Sequence, residues 1–251
     1  MTSTPPYPEL LALIEGRSAA FREAVAAAPD LSVTVPGCPD WSITDLVAHL
    51  GAVHRFWAAT VAAGDESGPP SADRLGDRTP HGDLLEWSAT STALLLAALR
   101  DAGPDAPCWA WWGASDAPLT SSAVARHQVQ EAAVHAYDAQ ESIGRAEPLP
   151  AAVAVDGVSE FLQVGPGSLG AWPHRPARVA FQAIEGPSWT LDLSPSGAKA
   201  DPSASGEPVT RIHATASDLV LALYRRIPLA DVRVDGDRSV AEQLTEWSKP
   251  G

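Results

Sequence analysis

The chain has 251 residues, 45% hydrophobic and 19% charged, which places it among folded globular chains and outside the disordered and fibrous classes. Its 31 acidic against 17 basic residues give a formal net charge of −14, which argues against a surface that wraps nucleic acid or lies on anionic lipid. Apolar runs such as Ala93–Leu99 fall far short of the ~20 residues a bilayer-crossing helix needs. Met1 to Pro6 show neither the basic nor the apolar region of an export signal, so a cytoplasmic location is expected. Cys38 and Cys108 lie outside any Cys-x-x-Cys pair and read as small packed residues, not as a disulfide or ligands.

A first helix is expected over about Pro8 to Ala28, where Leu10, Leu13, Ile14, Phe21 and Val25 recur at helical spacing. A second begins after Asp40-Trp41, announced by the Ser42-x-x-Asp45 capping pattern, and leaves through the Gly64-to-Pro70 stretch. Thr79-Pro80 announces a third, ending near Gly103-Pro104. The fourth spans about Ser121 to Ile143 and stops at Gly144. Four such helices make a bundle the expected architecture.

A short helical segment, Ala151 to Leu162, leads into the glycine- and proline-rich passage Val164 to Pro176, read as the junction between a helical domain, 1–165, and a small α+β domain, 175–251. Beyond it Arg178–Ile184, Ser188–Leu193 and Val209–His213 alternate as half-buried strands do. A helix from Ser217 to Tyr224, a strand at Val232 to Val234 and a last helix from Arg238 to Trp247 complete an α+β chain. Asp201–Gly206 reads as a polar loop.

The fourth helix carries the chemistry. Glu131 and His135 are four apart, so both side chains leave one face a single turn apart. His127 extends that stripe. Imidazole and carboxylate suit zinc and related divalent ions, and a catalytic site takes a third ligand from another element while leaving one position open. His49, in the apolar run Leu46-Val-Ala-His-Leu50, is the best donor. His54 is turned about 140° from it around the second helix and is not expected to share its ion. A Glu-x-x-x-His pair is nevertheless common on solvated faces and a core histidine ordinarily bonds a carbonyl, so the residues alone leave metal and structural readings both open. Trp109, Trp111 and Trp112 read either as the lining of an apolar pocket or as packing beneath a long loop.

The stretch Val35-Pro-Gly-Cys-Pro-Asp-Trp41-Ser-Ile-Thr-Asp45-Leu-Val-Ala-His49, with Glu131-x-x-Val-His135-x-Tyr-Asp138 downstream, resembles the mycothiol-dependent maleylpyruvate isomerase family within the DinB-like metal-binding bundles. Thr215–Leu229 and Val234–Arg238 resemble its C-terminal domain, which is similar in fold to sterol-carrier proteins. The resemblance implies a metal, zinc foremost, held by His49, Glu131 and His135, and mycothiol as thiol cosubstrate. The ion would stabilise the thiolate for isomerisation of, or S-transfer to, a small electrophile. It implies that Arg226, or its neighbour Arg225, holds a substrate carboxylate, against a plain helix-end arginine. Asp138 reads as a partner for a ligand histidine, as a partner for an arginine, or as a solvated carboxylate.

The chain departs from the family's pattern at Gln130, where a histidine often precedes the glutamate, and at Ala136, where a basic residue often follows the second histidine. Both alter the rim of the site, which bears on whether maleylpyruvate itself is the substrate. Two other readings stay open: a thiol-independent metal hydrolase of the same fold, and a non-catalytic metal-binding regulatory protein.

Overall fold

The structure is a computed structural model, and it describes residues 4–65, 68–200 and 206–248. Residues 1–3 of the N-terminal stretch, 66–67 of the exit from the second helix and 201–205 of the expected polar loop lie outside the described residues. The chain divides into two compact units, one of residues 5–110 and 118–149, the other of 111–117 and the chain from Pro150 onward.

The first unit is built on four long helices, α1 (Tyr7–Ala26), α2 (Ile43–Ala63), α4 (Leu84–Ala102) and α5 (Ser121–Ser142), with a single-turn α3 (Ala72–Leu75) between α2 and α4. α2 starts where expected because Ser42 and Asp45 close a capping box. The Asp45 amide donates to Ser42 Oγ at 3.2 Å and the Ser42 amide to Asp45 Oδ2 at 2.9 Å. α4 starts later than Thr79-Pro80 suggests: Gly82 takes a left-handed φ of 69°, which no helix continues through, and Asp83 then caps by accepting from the Glu86 amide at 2.9 Å. α5 closes at Gly144, φ 68°, with the Arg145 amide returning to the Gln140 carbonyl at 2.8 Å.

A core of Phe21, Val25, Ile43, Leu46, Val47, Leu50, Ala136 and Ala139 joins α1, α2 and α5. A two-stranded ribbon unforeseen from the sequence, β1 (Thr34–Val35) with β2 (Cys38–Ser42), packs at this end of the bundle and delivers Trp41 to the start of α2.

The second unit begins with α6 (Ala151–Ser168), which corrects the expected junction at 165–175. The helix runs on through Gly165-Pro166-Gly167, because a proline in the last turn breaks little that is not already ending, and the Ser168 hydroxyl bonds the Val164 carbonyl at 2.6 Å. α6 packs on the sheet and on α7, so it belongs with them.

The sheet is ordered β5-β4-β3-β6-β7, from β3 (Ala177–Ala183), β4 (Ser188–Ser194), β5 (Gly197–Ala200), β6 (Thr210–Ala214) and β7 (Arg233–Gly236). β3 and β6 pair parallel and the other neighbours antiparallel. Val179, Phe181, Leu191 and Ile212 form its buried face against α7 (Ala216–Leu223) and α8 (Arg238–Trp247), which supply Leu219 and Leu244. No described helix is long and apolar enough to cross a membrane.

Candidate metal site

The capping box that fixes the start of α2 also fixes the level at which His49 leaves it, and on α5 Glu131 and His135 stand one turn apart. The three side chains meet. His49 Nε2 lies 3.0 Å from Glu131 Oε1, and His135 Nε2 lies 3.2 Å from the same oxygen. One nitrogen or oxygen from each residue falls within 4.8 Å of the other two, close enough to share one ion.

Exposure is graded across the cluster, from 34% for the His49 side chain through 18% for Glu131 to 7% for His135, so solvent reaches it from the His49 edge. Asp138, wholly buried one turn on, accepts from His135 Nδ1 at 2.8 Å. Asp138 is therefore no solvated carboxylate: it holds the His135 ring so that Nε2 faces Glu131.

The electrostatics favour a cation here. Burial alone would push the His135 imidazole down, but the Glu131 and Asp138 carboxylates outweigh it and raise the group to about 9. Burial alone would raise the Glu131 carboxyl, yet the charges and hydrogen bonds of His135 and His49 hold it well below the usual carboxylate range. Two imidazole nitrogens, an ionised carboxylate and a buried second carboxylate behind them form a donor set that fits a divalent ion of the zinc type.

Trp41 was not singled out from sequence in this role. Its ring lies 4.5 Å from the His49 ring and 6.2 Å from that of His135, centroid to centroid, so one indole walls both histidines. Its sequence signals were its place immediately before the Ser42 cap and within the stretch that resembles the family.

Other expected residues lie elsewhere. His127 extends the stripe but packs its ring against Trp57 at 6.1 Å, and His54 faces Thr92 at 3.3 Å. Trp109 stacks on Trp57 at 6.5 Å, while Trp112 is fully buried in the second unit and Trp111 stands 47% exposed. Packing is thus the observed role of Trp109 and Trp112.

Arg226 belongs to the second unit, at the end of α7, where its amide closes a 2.7 Å bond to the Leu221 carbonyl and Nη1 donates to the Tyr224 carbonyl at 2.9 Å. Arg225 takes the left-handed conformation, φ 62°, that glycine usually fills at this point of a helix end. Its guanidinium lies 3.6 Å from Glu246.

Two solved structures share the fold across almost the whole chain. A histidine-to-alanine mutant of the mycothiol-dependent maleylpyruvate isomerase superposes with a TM-score of 0.61 at 15% identity, covering 94% of this chain and 97% of that one. The same isomerase without the mutation gives 0.60 at 16%, with the same coverage. No curated protein sequence matches. The model of the mycothiol maleylpyruvate isomerase N-terminal domain matches residues 11–140, and that of the family's C-terminal domain matches residues 152–243. With both domains matched in order, the chain belongs to the mycothiol maleylpyruvate isomerase family.

Proposed function

We propose that this chain is a metal-dependent enzyme that activates the thiol of mycothiol for isomerisation of, or S-transfer to, a small electrophile, with zinc held by His49, Glu131 and His135. The observation that carries the reading is the convergence of two imidazole nitrogens and a carboxylate oxygen within 4.8 Å, on two helices of a family bundle. When bound, such an ion supplies an open position for a thiol sulfur and lowers its pKa, so that the nucleophilic thiolate exists at neutral pH.

The chain's own residues prepare that position. Asp138 keeps a proton on His135 Nδ1 and leaves Nε2 free to ligate. Trp41 packs against the two imidazoles and limits their rotation, which keeps the donor atoms aimed at one point. The exposed His49 edge is the side from which a thiol enters. Arg226, in the second unit, is proposed as the residue that binds a substrate carboxylate by paired hydrogen bonds. Gln130 and Ala136 replace residues common in the family, so the substrate is stated as a class: a small acid whose double bond is electron-poor. A cytoplasmic location fits this chemistry.

The test is elemental analysis of the purified chain beside its His49→Ala and Glu131→Ala variants, followed by an assay of maleylpyruvate isomerisation, and then of related electrophiles, with and without mycothiol. Near-stoichiometric metal that both variants lose, with turnover requiring metal and thiol together, is expected. A wild-type chain that is metal-free and cannot be reloaded overturns the reading. Metal-dependent hydrolysis indifferent to mycothiol replaces it with the hydrolase.

A further inference from the structure

The second unit holds a pocket of its own, between α6 and the β4–β5 edge of the sheet, with a volume of about 260 Å³. It opens because the chain puts little bulk there. Side chains alternate across a strand, so Ala198 and Ala200 share one face of β5, and with Gly167 of α6 they line the pocket where larger side chains would close it. Among the described residues β5 pairs with β4 only as far as Leu191, and Thr190, Trp189 and Ser188 line the pocket beyond that point.

The segment 111–117, part of the same unit, forms the third wall. Gly167 lets it approach α6, since a Cβ there would fall 3.1 Å from that of Ser115. Asp116 then joins the other two walls: its carbonyl accepts from Gln163 Nε2 of α6 at 3.5 Å, and its carboxylate lies 3.5 Å from Lys199 Nζ of β5. The segment is braced from within, because the Ser115 amide donates to the Trp112 carbonyl at 2.9 Å and the Ala117 amide to Ser115 Oγ at 3.1 Å.

The lining decides what fits. Six of its eleven residues, Asp116, Ser159, Gln163, Ser188, Thr190 and Lys199, carry hydrogen-bonding side chains, whereas sites for apolar ligands are lined mainly by hydrophobic ones. A lipid is therefore a poor fit. The volume lies near the ~300 Å³ lower end of small-molecule sites, which admits a single ring and no extended chain. Asp116 and Lys199 balance each other's charge, so the pocket selects neither an anion nor a cation. Hydroxyls, an amide and a carboxylate beside the half-buried indole of Trp189 suit a molecule with hydroxyls around its rim and an apolar C–H face. A sugar ring has that form.

We propose that this pocket binds one neutral sugar ring, its C–H face on Trp189 and its hydroxyls on Asp116, Gln163 and Lys199. The site stands apart from the metal reading, since every residue that lines it belongs to the second unit. The test is calorimetric titration of the full chain with the methyl glycosides of glucose, galactose and mannose, beside decanoate. At least one glycoside should bind with a Kd of about 1 mM or tighter, the strength a ligand of that size reaches, and decanoate should not bind. Gln163→Ala removes one hydrogen-bonding group from the wall and should weaken that glycoside about 5- to 10-fold with Tm within a few degrees of wild type. Ala198→Leu fills the pocket and should abolish binding. No binding by any of the three glycosides, decanoate bound in their place, or glycoside binding unchanged in either folded variant overturns the proposal.

Discussion

His135 and His54 sit in the same bundle, 6% and 1% exposed, and their protonation is driven in opposite directions, to about 9 and about 4. Burial opposes the charged imidazole at both positions. At His135 two carboxylates in direct contact, Glu131 and Asp138, overcome it. His54 touches a threonine hydroxyl; Glu131 favours its charge, but Arg22, His135 and His49 oppose it. Depth therefore does not decide what a buried histidine does: the partner does. One of these imidazoles sits between two carboxylates that hold its proton, and the other stays neutral.

The sharpest way to break this contrast is to remove a ligand. Structural zinc sites release roughly 10–16 kcal/mol over about four ligands, so Glu131→Ala or His135→Ala should weaken zinc binding by roughly 70- to 900-fold, read by competition with a chelator. His54→Gln should leave zinc affinity within a few-fold of wild type. Equal losses at the two histidines would mean that they do not differ in role.

Acid titration comes next. Because the folded His54 pKa lies below the unfolded value, its neutral form stabilises the fold above about pH 6.5, and that stability is lost as pH falls from 6.5 to about 4. A shift of this size is worth on the order of 3 kcal/mol. Unfolding free energies of the metal-free wild type and His54→Gln should converge over that window, and parallel curves would contradict the assignment.

Asp138→Asn removes the charge behind His135 and leaves its shape. It should cost 10–100-fold in metal affinity with little change in Tm, as loss of an outer-shell carboxylate does. The smallest effect is local: Ser42→Ala opens the capping box of α2 and should lower stability by about 1 kcal/mol, seen as a Tm lower by about 2–4 °C.

How far the sequence reaches is clearest at the cluster of His49, Glu131 and His135. Glu131 and His135 are legible because helical spacing alone puts them on one face, and the Ser42–Asp45 cap dates the start of α2 closely enough to set the level of His49. That His49 meets them rested on its place in an apolar run and on resemblance to a family, since no local rule pairs residues 82 apart.

In the fold, capped helices and alternating strands were legible. The short ribbon that carries Trp41 was not, since two to five residues hold too little pattern. The domain junction was misplaced because Gly-Pro-Gly is a strong breaker in isolation, whereas at the last turn of α6 it costs the helix little.

The central claim is that His49, Glu131 and His135 hold an ion whose open position takes a thiol. The most direct test is to load the chain with cobalt(II) in place of zinc and titrate it with mycothiol while recording the absorption spectrum. A new sulfur-to-cobalt charge-transfer band that saturates with the thiol, and that is absent from Glu131→Ala, is the expected result. An unchanged cobalt spectrum across the titration, with the metal still bound, would contradict it.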